Sequence, residues 1–135
     1  MNSTKAFTIL LVDDDRDDQY MLKKIANSLL PEATVAQAFN GDECLRYLEA
    51  HAHELPALIT MDVNMPLVNG IEATEQIKRN HATQGIPVVA LSTSDRAADR
   101  QACLEAGAND YVVKPVVFDE LRLALRDIFN KWLHS

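Results

Sequence analysis

Only two cysteines occur among the 135 residues, Cys44 and Cys103, and they stand far apart with no CxxC pair. That excludes a disulfide framework or a thiolate zinc site and makes both small buried residues in a reducing compartment. No apolar run approaches the roughly 20 residues that cross a bilayer, so a transmembrane helix is excluded. The opening MNSTKAFTILLVDDD carries one lysine and a short apolar run ending in acid, which is no secretory signal, and the expected location is the cytoplasm. Positive charge is scarce: 13 Lys and Arg face 20 Asp and Glu, a net charge of −7. Such a field repels nucleic acid and anionic membranes, so neither is an expected partner. The four histidines, His51, His53, His81 and His134, lack ligand spacing. Repeats, low-complexity segments and linkers are absent as well, so the chain is expected to be one domain over 1–135 with no output domain.

What is there is 47% hydrophobic sequence in short apolar runs that alternate with amphipathic ones, the pattern of repeated βα units around a buried parallel sheet. Strands are predicted at 7–12, 34–38, 57–61, 87–91 and 111–113. The second is weakly apolar and belongs at an edge. In the first helix Tyr20, Met21, Ile25 and Leu29 share a stripe. Asn40 with Glu43 suits a capping box opening the second, where Leu45 and Leu48 point inward. The third helix is predicted over 71–79 and the fourth over 97–106, closed by Gly107 in the left-handed conformation. From Phe118 onward Leu121, Ala124, Leu125, Ile128, Phe129 and Trp132 recur at spacings of three and four, one broad apolar face for the core.

In an open parallel sheet the ligand crevice lies at the carboxyl ends of the strands. Those positions hold Asp13, Asp14 and Asp15 after the first strand, Asp62 after the third, Ser92 and Thr93 after the fourth, and Lys114 before Pro115 after the fifth. Two unit charges 4 Å apart repel by about 4 kcal/mol at an effective dielectric of 20, so clustered aspartates need a cation beyond one lysine. Hard oxygen ligands in small number favour Mg²⁺, which shares its shell with phosphoryl oxygens. The cluster therefore predicts metal-assisted phosphoryl transfer, with an aspartate nucleophile and a lysine and hydroxyl neutralising the transferred group.

The segments LLVDDD, TMDVNMPLVNG, ALSTS and GANDYVVKP resemble, in order, the four signatures of bacterial response regulator receiver domains, over about residues 7–132. HELPALITMDVNMP and IPVVALSTS further resemble small stand-alone regulators that partner phytochrome-type histidine kinases. The resemblance implies a flavodoxin-like, doubly wound (βα)5 fold with strand order 2-1-3-4-5. It implies Asp62 as phosphoacceptor, Asp14 as a direct Mg²⁺ ligand, Asp13 as a water-mediated or supporting one, and the backbone carbonyl of Asn64 as the last protein ligand. Lys114 pairs with the phosphoryl group, Ser92 donates its hydroxyl to it, and Tyr111 is the aromatic that turns inward with that hydroxyl. The Lys114–Pro115 bond is expected to be cis, and Met65, Pro66 and Gly70 shape the loop below the acceptor. The implied partners are a histidine kinase or phosphotransfer protein and a downstream protein target. Two departures stand out: Asn69 replaces a frequent aspartate, with little effect expected, and Thr93 is bulkier than usual and narrows access to Asp62.

Plainer readings compete at several positions. Asp15, Asp17 and Asp18 suit a solvated helix start, Lys114 a surface lysine, and Thr93 a turn hydroxyl. An EF-hand beginning at Asp13 fails, because its sixth position is Asp18 and its twelfth Lys24. A haloacid-dehalogenase-type phosphatase wants a second aspartate two places beyond Asp62, where Asn64 stands, and a cap insertion. A degenerate receiver that binds without phosphorylation conflicts with retention of Asp13, Asp14, Asp62, Ser92 and Lys114. Tyr111, Ala102, Leu123 and Trp132 are candidate contacts of a weak homodimer through the last two helices.

Overall fold

A computed structural model describes residues 7–63, 65 and 69–133. Strand and helix alternate five times: β1 (Thr8–Val12), α1 (Arg16–Leu29), β2 (Thr34–Ala38), α2 (Gly41–Ala50), β3 (Leu58–Met61), α3 (Gly70–Arg79), β4 (Val88–Ser92), α4 (Ala97–Glu105), β5 (Asp110–Val113) and α5 (Phe118–Trp132). All pairings are parallel and the sheet order is β2-β1-β3-β4-β5, the flavodoxin-like doubly wound arrangement. β2 lies at an edge, as its composition requires.

Because successive strand residues face opposite ways, each strand feeds both layers. Ile9, Leu11, Val89 and Leu91 pack with Leu22, Ile25, Leu121, Leu125 and Phe129 beneath α1 and α5. Leu10, Val12, Ile59, Met61 and Val88 pack with Cys44, Leu48, Ala73 and Ile77 beneath α2 and α3. A smaller cluster of Val63, Ala90, Cys103, Ala108 and Tyr111 lies under α4. Both cysteines are free and buried, and His51, His53 and His81 are exposed.

Several expectations need correction. The inward face of α1 is Gln19, Leu22, Ile25 and Ala26, while Tyr20 is 69% exposed. The helix phase follows from its start: Asp15 is the N-cap and accepts from Asp18 N at 3.0 Å, which turns Gln19 toward the sheet. There Gln19 Nε2 donates to the carbonyls of Leu11, Asp13 and Ala38 at 3.0, 3.1 and 2.9 Å, serving backbone acceptors where β1 and β2 end. At α2, Asn40 accepts from Glu43 N as expected, but Glu43 returns its bond to Phe39 N. The full capping box opens α3 instead, between Asn69 and Glu72; Asn69, expected to matter little, starts that helix. Gly107 has φ 110° and closes α4 as predicted. Of the proposed dimer contacts, Tyr111 is buried, Ala102 and Trp132 are half-buried, and only Leu123 is open.

Candidate functional site

Three backbone bonds across the ends of the strands bring the chemistry together. Asp13 N donates to Ala38 O at 3.1 Å, Asp62 N to Val12 O at 2.9 Å, and Lys114 N to Ser92 O at 2.6 Å, so each residue sits one step past its strand. Carboxylate oxygens of Asp13, Asp14 and Asp62 all lie within 4.8 Å of one another. Asp13 is 1% exposed, Asp62 half-buried and Asp14 exposed, so the cluster is closed at Asp13 and open to solvent at Asp14. Asp13 Oδ1 also accepts from Asp15 N at 2.9 Å, which fixes the carboxylate and tightens the turn into α1.

Lys114 is buried and spans the acids: Nζ lies 2.6 Å from Asp13 Oδ2 and 2.9 Å from Asp18 Oδ2. Asp18 therefore does more than solvate a helix start. The surface-lysine reading of Lys114 is excluded by its burial. Burial pulls the ammonium down, yet the two carboxylates outweigh it and hold Lys114 above its ordinary value. Burial pushes Asp13 up despite Lys114.

Asp62 is pushed to about 7, first by burial, then by the charge of Asp13, with Lys114 opposing and contact with Asp14 adding to the rise. The unfolded carboxyl titrates near 3.8, so its proton is bound more tightly in the fold. The stability this gives is present below about pH 4 and lost as pH rises through about 7, at a cost of roughly 1–3 kcal/mol after discount for partial exposure. In chelator, the urea midpoint of the native chain is expected to fall between about pH 4 and 7, and Asp62→Asn to flatten that fall. Equal slopes for the two proteins would overturn the assignment of the titrating group.

Ser92, the last residue of β4, is fully buried, and its Oγ accepts from Ser94 N at 3.2 Å. Thr93 is exposed beside it. Tyr111 is turned inward, and its hydroxyl donates to Ser94 O at 2.7 Å, tying β5 to the loop after β4. The serine and the tyrosine thus meet at one loop. Met65 is buried and Gly70 packs against the acceptor, whereas Asn64 and Pro66 lie outside the described residues, as does His134. By sequence Asp18 has only a solvated place at a helix start, and Gln19 is not singled out. A glutamine three before Leu22 and seven before Ala26 on an apolar stripe was the available signal for Gln19.

The sequence model of the response regulator receiver domain matches residues 9–126. The chain belongs to that family. The methanogenesis regulatory protein FilR2 of Methanothrix harundinacea (strain 6Ac), a probable assignment for that protein, is 31% identical over 130 residues, covering 94% of this chain and 84% of FilR2. The phosphorylated cyanobacterial phytochrome response regulator RcpA superposes with a TM-score of 0.88 at 28% identity, over 96% of this chain and 95% of RcpA. The receiver domain of sensor histidine kinase PA1611 from Pseudomonas aeruginosa PAO1, with magnesium in its active-site cleft, gives 0.79 at 28% identity, over 97% and 100% of the two chains. This receiver is thus a signalling domain of two-component systems, and its three-aspartate cluster suits a divalent metal. No helix among the described residues is long and apolar enough to cross a membrane.

Proposed function

We propose that this receiver takes a phosphoryl group on Asp62 from a histidine kinase or phosphotransfer protein and signals through the loop after Ser92. The observation that carries the reading is the convergence of Asp13, Asp14 and Asp62 around one open point, with Lys114 alongside. Asp62 is the nucleophile: one carboxylate oxygen attacks phosphorus and the donor leaves with its bonding pair, giving an aspartyl phosphate. Asp13, Asp14 and Asp62 would hold Mg²⁺, and the ion when bound would offset the charge of the phosphoryl oxygens. Lys114 pairs with a second phosphoryl oxygen, and the Ser92 hydroxyl donates to a third.

The output follows from the Ser92–Ser94–Tyr111 contacts. Drawing the serine hydroxyl toward the phosphoryl group competes with its bond from Ser94 N, and Tyr111 holds the loop through Ser94 O. The switch is therefore a local rebonding that alters the surface of α4, β5 and α5. Leu104, Val113, Val116 and Leu123 are exposed on or beside these elements, and they are the surface for a downstream protein or a weak homodimer. The protein acts in the cytoplasm as a phosphorelay or protein-interaction regulator. Its chemistry is confined to gaining and losing its own phosphoryl group. Thr93, exposed next to Ser92, slows access of small donors and water to Asp62.

Incubation with Mg²⁺ and acetyl phosphate is expected to add one phosphoryl mass to the native chain, labile in alkali, and none to Asp62→Asn. An adduct that persists in the variant would move the acceptor elsewhere. Absence of any adduct from either acetyl phosphate or a phosphotransfer protein would overturn the reading.

A further inference from the structure

The phosphoacceptor reading gives Lys114 one role, yet the structure gives its ammonium two carboxylates before any phosphoryl group arrives. Asp13 is nearly fully buried, and its bond to Lys114 at 2.6 Å compensates a charge that water cannot reach. Asp18 differs. Its side chain is 36% exposed, its backbone N–H is already held by Asp15, and it sits in the first turn of α1, where the helix N-terminus favours its charge. Released from Lys114, Asp18 passes to water and keeps that support, so letting go costs it little. Of the two partners, Asp18 is the one that can yield.

We propose that Asp18 is a positioning residue that acts through Lys114, a counter-ion that competes with the aspartyl phosphate for the ammonium and thereby loosens the phosphorylated state. The inference rests on the proposed role of Lys114. Phosphorylation brings close to two negative charges and three acceptor oxygens beside the acids already present. An ammonium has three donors, of which Asp13 and Asp18 take two; a phosphoryl oxygen that engages the third must share the ammonium's charge and position with Asp18. The side chain at position 18 therefore sets part of the affinity between Lys114 and the phosphoryl group without touching that group. Asp17, its exposed neighbour in the same turn, carries the same charge, and among the described residues it makes no ion pair with Lys114.

The test is a ¹⁹F titration of beryllofluoride with Mg²⁺, a phosphoryl mimic that reports binding without turnover. Asp18→Asn is expected to bind about three- to ten-fold more tightly than the native chain, the range of one part-buried ion pair. Asp18→Glu, which restores the charge, is expected to return affinity to near the native value, and Asp17→Asn to change it less than about two-fold, the size of a screened surface charge. Unchanged or weaker binding in Asp18→Asn, or an equal gain in Asp17→Asn, overturns the proposal. If the native chain neither binds the mimic nor takes an acetyl phosphate adduct, the phosphoacceptor reading itself fails, and the competition falls with it.

Discussion

Lys114→Met is expected to cost about 3–5 kcal/mol of folding stability near pH 7.5 in chelator, the range for a buried pair that loses one partner. Methionine fills much of the lysine's volume, so the loss isolates the charge. Asp13 keeps its bond from Asp15 N but loses the cation 2.6 Å away, and Asp62 loses the charge that opposes its rise. Two consequences separate this from a packing defect. Millimolar Mg²⁺ is expected to restore much of the stability, because a divalent ion among Asp13, Asp14 and Asp62 compensates the same charges. Lowering the pH toward about 5 is expected to shrink the deficit as well, since Asp62, already pushed to about 7, then takes up its proton. Urea unfolding with and without Mg²⁺ reads all three effects. A midpoint in chelator equal to that of the native chain would show that Lys114 does not stabilise this site.

Gly70→Ala is the second change with a large expected effect, and its cause is close approach. An alanine Cβ at position 70 would collide with the carbonyl oxygen of Asp62 and stand 2.9 Å from the Cα of Val63. Both are backbone atoms that cannot swing aside, and Gly70 N is also bonded to Val63 O at 3.1 Å. Relief requires moving either the start of α3 or the acceptor segment. The expected loss is about 3 kcal/mol, the upper range of overpacking in a close-packed interior. Because the displaced atoms belong to Asp62 and its neighbour, Mg²⁺ affinity is expected to fall alongside stability. Gly107→Ala provides the contrast: there the strain comes from the φ of 110° and the nearest atoms are the flexible side chain of Lys78, well away from the acceptor. Stability lost in Gly107→Ala with Mg²⁺ affinity unchanged, against a loss of both in Gly70→Ala, is the expected pair of results. Native Mg²⁺ affinity in folded Gly70→Ala would disprove the link between this glycine and the acceptor.

By itself the sequence determined the βα alternation, the edge position of β2 and the positions of Asp13, Asp14, Asp62, Ser92 and Lys114 at, or within two residues of, strand ends. These are local properties. A strand buried on both sides must be a short apolar run, and in a parallel sheet its carboxyl end opens on the ligand crevice, so the residue type found there carries functional information without any distances. The family signatures add residue roles, because they are runs of adjacent residues at those same ends. Helix ends were legible where a single residue decides them, as at Gly107.

Only the tertiary structure decided the features that depend on which atoms meet across the chain. The phase of α1 is one. Tyr20 fits an apolar stripe as well as Gln19 does not, yet the carbonyls of Leu11, Asp13 and Ala38 need donors where β1 and β2 end, and the glutamine supplies them. The pairing of Lys114 with Asp18 is another. Asp17 and Asp18 are both first-turn acids of α1, and what separates them is that only Asp18 meets Lys114, an ammonium 96 residues along the chain. Tyr111 read in the sequence both as the aromatic that turns inward and as a dimer contact, and packing under α4 with a bond to Ser94 O put it inside. Composition and periodicity act over a few residues, whereas burial, ion-pair choice and close backbone approach depend on the relative placement of whole elements.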